Sequence, residues 1–88
     1  MKLIFSDHAW DDYLHWHRSD AKTFARLNAL IKEAMRTPFT GTGKPEALKG
    51  DLSGWWSRRI TQADRLVYRV SGSGAAQALE IAQCRYHY

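Results

Sequence analysis

The sequence contains little cysteine or proline and no long apolar run. Its 88 residues include one cysteine and two prolines, and no apolar stretch reaches the ~18 residues that a membrane-spanning helix needs. The opening residues 1–5 (MKLIF) are too few for the apolar region of a secretory signal peptide. Cys84 has no second cysteine with which to form an internal disulfide. We therefore expect a cytoplasmic protein without a membrane partner, in which Cys84 is a small buried hydrophobe.

Acidic residues are scarce from residue 58 onward. From residue 58 onward the chain contains five arginines (positions 58, 59, 65, 69 and 85) and only two acids, whereas residues 7–20 contain four aspartates. The whole chain has a formal net charge of +4. Such a balance favours polyanionic partners. We therefore expect the C-terminal half to form the nucleic-acid face.

The length fits one small domain, residues 1–88, without repeats, linkers or low-complexity segments. A domain of this size buries only about 60–65% of the surface that its unfolded chain exposes. We therefore expect a partner to stabilise it, as a homodimer and in a complex.

Two helices are predicted near the N-terminus. A short strand over residues 2–5 precedes a helix that Ser6 or Asp7 can cap and that runs to about Arg18. Asp20 caps a second helix that ends at Arg36, before the Thr37-Pro38 step. Helical spacing predicts that the first helix buries Trp10, Tyr13 and Leu14.

Three strands are predicted in the second half, over residues 55–61, 65–71 and 76–84. They follow a loop over residues 38–50, which holds both prolines and three of the six glycines. The strands form an antiparallel meander. The order of elements predicts an α+β fold, with both N-terminal helices packed on one face of an antiparallel sheet.

Alternation along the strands separates two faces of this sheet. The face that suits the helices contains Trp56, Arg58, Ile60, Leu66, Tyr68 and Val70. The other face is expected to stay open and carries Arg59, Arg65 and Arg69. Repulsion among these guanidinium groups is relieved if an anion binds, although a solvated sheet face accommodates arginine equally well.

The chain ends on an aromatic and cationic group, Arg85, Tyr86, His87 and Tyr88. Such a group can stack on a base, hydrogen-bond a phosphate and transfer a proton near neutral pH. RNA strand cleavage requires these functions. Alternatively, the two tyrosines only pack against the sheet with their hydroxyl groups at its wet edge.

Metal-free RNA cleavage needs a base for the 2′-hydroxyl, a cation for the phosphate and an acid for the leaving 5′-oxygen. Glu46, Arg65 and His87 supply one of each. Further positive charge comes from Lys44, Lys49, Arg59 and Arg85.

An alternative metal site lies at helical spacing in the first helix and comprises His8, Asp11, Asp12 and His15. A solvated first turn, in which acids interact favourably with the helix dipole, explains these residues better. We therefore expect no metal and no cofactor.

Seven segments carry the motifs of one protein family: residues 1–4 (MKLI), 10–14 (WDDYL), 36–39 (RTPF), 43–49 (GKPEALK), 52–61 (LSGWWSRRIT), 65–68 (RLVY) and 84–88 (CRYHY). With them the sequence resembles the YoeB toxins of bacterial type II toxin–antitoxin modules, in the RelE superfamily. Trp55 beside the motif tryptophan, and a longer hairpin through residues 72–77, depart from the family pattern.

This resemblance implies a RelE-like microbial ribonuclease fold and a ribosome-dependent messenger RNA endoribonuclease. Such an enzyme cuts at the ribosomal A site, inhibits translation and is silenced by a YefM-type antitoxin, with operator DNA bound only by the toxin–antitoxin complex. By resemblance, Glu46 is the general base, Arg65 stabilises the phosphate and His87 is the general acid. Lys49, Arg59 and Tyr88 support the phosphate and the site geometry.

A second interpretation is a noncatalytic nucleic-acid-binding module that acts with its antitoxin as a corepressor. Glu46 would then be dispensable, whereas cleavage makes both Glu46 and His87 essential. Gyrase-poisoning relatives of similar fold are disfavoured, because residues 44–49 and 85–88 resemble the nuclease branch.

Overall fold

The helices and strands follow the predicted order, with one additional strand. The computed structural model describes residues 1–87. The first half contains β1 (Lys2–Phe5), α1 (Asp7–Ser19) and α2 (Ala21–Arg36). The second half contains β2 (Glu46–Ala47), β3 (Trp56–Arg59), β4 (Arg65–Ser71) and β5 (Ala78–Gln83), with short 3-10 turns at Gly50–Leu52 and Gly74–Ala76. No helix in the described part of the chain is long and apolar enough to cross a bilayer.

Local sequence determines where both helices begin. The Ser6 hydroxyl accepts a hydrogen bond from the Ala9 N–H at 3.0 Å, and the Asp20 carboxylate accepts one from the Thr23 N–H at 3.0 Å. These side chains satisfy N–H groups that have no partner inside the helix. The predicted cap at Asp20 is confirmed, and Ser6 is the cap of the first helix among the two candidates Ser6 and Asp7.

The five strands described in residues 1–87 form one sheet in the order β1-β5-β4-β3-β2. Strands β3, β4 and β5 pair antiparallel, as predicted, and the additional strand β2 pairs antiparallel with β3. β1 instead pairs parallel with β5, so the sheet is mixed rather than wholly antiparallel. This pairing is possible because the whole chain between β1 and β5 provides the long connection that parallel strands require. β2 lies inside the predicted loop over residues 38–50.

Both helices pack on one face of the sheet. The core joins α2 to the central strands through Leu27, Leu30, Ile31, Leu66, Tyr68, Leu79 and Ile81. The prediction that Trp10 is a core residue is wrong, because this side chain is 47% exposed. α1 instead buries Ala9, Asp12 and Trp16. Because the polar Asp12 is buried, the residues of α1 that face the core lie one position earlier along the helix than hydrophobicity alone predicts.

Candidate active site

The strand register places three predicted site residues on the sheet face away from the helices. Glu46 lies opposite Ser57, and Arg59 lies opposite Arg65. Residues directly opposite each other, or two apart along a strand, share a face. Glu46 and Arg59 are therefore diagonal neighbours, an arrangement with roughly 7–8 Å between residues. Long side chains at this separation can reach one ligand.

This face is less open than alternation predicts. Ser57 and Val67 at its centre are 3% and 2% exposed. Arg69 Nη2 lies 3.1 Å from Glu80 Oε1 on the neighbouring strand, and the Arg69 guanidinium lies 4.5 Å from the centroid of the Trp55 ring. An acid and an aromatic ring therefore compensate this arginine without a bound anion.

Half-buried Arg65 is held by the turn between β3 and β4. Its Nη1 donates to the carbonyl oxygens of Thr61, Gln62 and Asp64 at 2.9, 3.1 and 3.1 Å. Within residues 1–87 its Nε and Nη2 make no hydrogen bond. The guanidinium is thus fixed on one side and retains donors on the other, which suits the binding of a phosphate.

Glu46 is exposed on edge strand β2, and its carboxylate has no hydrogen bond or ion pair within the described chain. Just before it, the Gly43 carbonyl accepts a hydrogen bond from the Arg59 N–H at 2.7 Å. Gly43 has a φ of 85°, and a Cβ there would lie 3.1 Å from Leu30 Cδ2. The positive φ and the tight contact together favour glycine at this position. Lys44 and Lys49, both exposed, flank Glu46 along the chain.

A buried arginine that sequence analysis assigned only to the core face organises the loop before Glu46. Arg58 is 0% exposed, and its Nε donates to the Tyr68 hydroxyl at 2.9 Å. Its terminal nitrogens donate to three loop carbonyls, those of Thr37 at 2.6 Å, Thr40 at 2.8 Å and Thr42 at 3.1 Å. Glu33 Oε2 lies 3.5 Å from its Nη1. The sequence signal that could have identified this role is an arginine on an otherwise apolar strand face, because a buried guanidinium needs several acceptors.

The C-terminal segment is anchored first at Cys84. The Cys84 N–H donates to Asp12 Oδ2 at 3.0 Å, and its carbonyl accepts from Trp16 Nε1 at 2.8 Å. Burial, with a smaller effect of the Asp12 carboxylate, raises the pKa of the Cys84 thiol to about 12. The thiol is therefore a buried neutral group, as predicted. Asp12 binds this backbone, and residues 1–87 contain no group of three side chains placed to hold a metal.

A second anchor fixes Tyr86 beside Arg65. The Arg65 N–H donates to the Tyr86 carbonyl at 3.0 Å, and the Tyr86 N–H donates to Asp64 Oδ1 at 2.6 Å. The exposed His87 follows directly. The Arg85 guanidinium lies 4.5 Å from the centroid of the Tyr86 ring. Tyr88, the last predicted site residue, lies outside the described residues.

The structure thus brings a carboxylate, two arginines and the segment bearing His87 to one region of the sheet. In the described chain this region is an open surface without an enclosed cavity. Small-molecule sites are usually concave and enclosed. An open, cationic surface suits a macromolecular polyanion better.

Known proteins are similar to this chain in sequence and in fold. The sequence model for the YoeB-like toxin of bacterial type II toxin-antitoxin systems matches residues 5–88. Toxin YoeB of Escherichia coli (strain K12) is 56% identical over the full length of both chains. The structure of the YoeB/ParE toxin from Agrobacterium tumefaciens, 59% identical, has a TM-score of 0.97 with full coverage of both chains.

Two structures from Staphylococcus aureus are also similar. They are a YoeB dimer with a TM-score of 0.88 and a heterotetrameric YoeB-YefM toxin-antitoxin complex with a TM-score of 0.87. In each, the toxin is 39% identical to this chain, and the match covers 100% of this chain and 98% of that one.

Proposed function

Because the chain belongs to the YoeB-like toxins of bacterial type II toxin–antitoxin systems, we propose that it is an endoribonuclease that cuts translated messenger RNA at the ribosomal A site. The observation that carries this proposal is the placement of Glu46, Arg59 and Arg65 on one open face, next to the segment that bears His87. A basic surface that only binds RNA gives no role to an unpaired carboxylate among cations.

The proposed reaction is attack of the 2′-hydroxyl on the adjacent phosphorus. The Glu46 carboxylate takes the proton of the 2′-hydroxyl as the bond between O2′ and phosphorus forms. The bond between phosphorus and the 5′-oxygen breaks, and the His87 imidazolium donates a proton to that oxygen. The products are a 2′,3′-cyclic phosphate and a 5′-hydroxyl. No step requires a metal or cofactor.

Arg65 is proposed to stabilise the negative charge that grows on the phosphorane. Its Nε and Nη2 are the donors that the turn leaves unused within residues 1–87, and fixed donors need no reorganisation when charge develops. Arg59 lies directly opposite it and adds a second guanidinium. Lys44, Lys49, Arg85 and Tyr88 are proposed to bind flanking phosphates and support the site.

The partners follow from the relatives and from charge. The staphylococcal complex contains a toxin and a YefM antitoxin, and a net charge of +4 suits an acidic, largely disordered antitoxin segment that covers the basic face. The staphylococcal dimer supports a homodimer here. We infer that the chain is one functional domain that acts on cytoplasmic ribosomes and reaches operator DNA only within the toxin–antitoxin complex.

Primer extension on a ribosome-bound message tests the mechanism. Wild-type protein is expected to give discrete A-site cuts, and a 2′-O-methyl group on the scissile nucleotide should abolish them because the nucleophile is blocked. Glu46→Gln and His87→Gln should each slow cleavage by about 10²–10⁴-fold while antitoxin binding persists. Cutting of the methylated message would refute the mechanism, and full activity of Glu46→Gln would favour a surface that only binds.

A further inference from the structure

Asp64 connects the C-terminal segment to the turn between β3 and β4. Its Oδ1 accepts the Tyr86 N–H at 2.6 Å, and its Oδ2 accepts the Thr61 hydroxyl at 2.7 Å. Thr61 Oγ1 accepts the Asp64 N–H in return, at 3.0 Å. Hydrogen bonds to a carboxylate are shorter and stronger than those between neutral groups. Both carboxylate oxygens of Asp64 are therefore oriented, one toward the turn and one toward the C-terminal segment.

The same turn also holds the Arg65 guanidinium, through contacts that include the Asp64 carbonyl at 3.1 Å. Both polar backbone groups of Tyr86 are bound here, the N–H by the Asp64 carboxylate and the carbonyl by the Arg65 N–H. That carbonyl belongs to the peptide unit that joins Tyr86 to His87. The direction in which the chain enters His87 is thus set relative to Arg65 by two adjacent residues of one turn.

The backbone of Tyr86 shows how much depends on this contact. Its φ is 64°, in the left-handed region that residues other than glycine seldom adopt. A residue in this region persists only where its surroundings hold it there. Loss of the Asp64 carboxylate removes the acceptor of the Tyr86 N–H, so that the chain can relax to an ordinary φ and point His87 elsewhere.

We propose that Asp64 is a positioning residue for RNA cleavage, which holds the C-terminal segment so that His87 and Arg65 act on one phosphate. This inference rests on the proposed function. Asp64 acts through the Tyr86 backbone and does not contact RNA. Its removal should therefore impair protonation of the leaving oxygen, and should leave ribosome binding and attack by the 2′-hydroxyl unaffected.

Single-turnover cleavage on programmed ribosomes tests this role with three variants. Asp64→Ala should slow cleavage by about 100-fold, the effect of a misplacement of about 1 Å, with little change in the half-saturating ribosome concentration. Asp64→Asn keeps an oxygen acceptor for the Tyr86 N–H and should recover at least about tenfold of this loss, since a neutral hydrogen bond has about half the strength of a charged one. Asp51→Ala is the control, because Asp51 is an exposed acid whose carboxylate has no hydrogen bond or ion pair within residues 1–87.

A second message with sulfur in place of the scissile 5′-oxygen separates positioning from general damage. A thiolate leaves without a proton from an acid, so Asp64→Ala and His87→Gln should both cut this message at nearly the wild-type rate. An equal loss on both messages would show that Asp64 is only structural and would overturn the proposal, as would full activity of Asp64→Ala on the oxygen message. Wild-type protein that cuts neither message would instead refute the proposed function.

A variant that retains Asp64 provides the same test if Asp64→Ala does not fold. Thr61→Val leaves the Asp64 carboxylate in place and removes the hydroxyl that orients it, together with the acceptor of the Ala63 and Asp64 N–H groups. It should slow cleavage of the oxygen message by about tenfold, as expected for the loss of a hydrogen bond worth about 1.4 kcal/mol. Thr61→Val should cut the sulfur message at nearly the wild-type rate. An equal loss of rate on both messages would count against the positioning role.

Discussion

Two arginines on opposite faces of the sheet show how similar contacts serve different purposes. Arg58, on the helix face, and Arg65, on the open face, each donate to three backbone carbonyls of a nearby loop or turn. Arg58 also binds the Tyr68 hydroxyl and uses all three of its nitrogens. Arg65 makes its three contacts through Nη1 alone.

The difference lies in the donors that remain. A guanidinium that is fully buried and uses all three nitrogens fixes the fold, since its burial is tolerated only because each nitrogen has an acceptor. A half-buried guanidinium that is held on one side and open on the other is rigid and still able to bind. Unused donors on a fixed side chain, rather than charge itself, distinguish the candidate functional arginine.

The largest effect is expected from Arg58→Ala. This change removes the hydrogen bonds that Arg58 donates to the Tyr68 hydroxyl and to three loop carbonyls, and it removes the cation beside Glu33. Loss of one member of a buried charge network typically costs about 3–5 kcal/mol. Urea unfolding should show this loss in the free energy of unfolding. Arg65→Ala is the matched comparison and should lose less than half as much, so equal losses would contradict the distinction between the two arginines.

A smaller effect, on activity rather than stability, is expected from Arg65→Lys. Lysine keeps the charge but cannot hold the turn carbonyls and a phosphate oxygen with one planar fork. Single-turnover cleavage on ribosomes should fall by about 10²-fold, with the unfolding midpoint nearly unchanged. Arg69→Lys is the control on the same face, because Arg69 is paired with Glu80. Cleavage by Arg65→Lys at the rate of the Arg69→Lys control would argue against a specific phosphate contact.

Sequence patterns predicted the elements that depend on near neighbours. The caps at Ser6 and Asp20 bond to N–H groups three residues away, so the local sequence suffices to identify them. The antiparallel strands and the faces of β3 and β4 follow from alternation with period two. The chemistry of RNA cleavage selected Glu46, Arg65 and His87 as candidates, family resemblance assigned their roles, and these roles stay predictions.

The features that sequence analysis missed depend on distant parts of the chain. Asp12 faces inward because it binds the Cys84 N–H, 72 positions later. β2 has two residues, too few to show alternation, and exists because β3 provides a partner. The three loop acceptors of Arg58 lie 16 to 21 positions before it, so no local spacing reveals them. The parallel pairing of β1 likewise requires knowledge of the sheet order.

The smallest effect is expected in the pH dependence of stability, which tests whether Cys84 is buried on the helix face. Burial raises the pKa of the Cys84 thiol from its ordinary value of 9.0 to about 12 in the folded chain, because the buried thiolate is poorly solvated. The folded protein thus holds the proton more tightly than the unfolded one. The resulting stabilisation is complete below pH 9 and is lost progressively as pH rises toward 12.

Between pH 8 and pH 10 this loss should be about 1.4 kcal/mol. Urea unfolding of wild type and Cys84→Ala at both pH values measures it, because the variant lacks the thiol and should lose correspondingly less. Burial also raises the pKa of Tyr68, but that effect is common to both proteins and cancels in the difference. Identical losses in the two proteins would mean that the thiol is solvated in the folded state. The C-terminal segment would then be less firmly docked on the helix face than its hydrogen bonds to Asp12 and Trp16 imply.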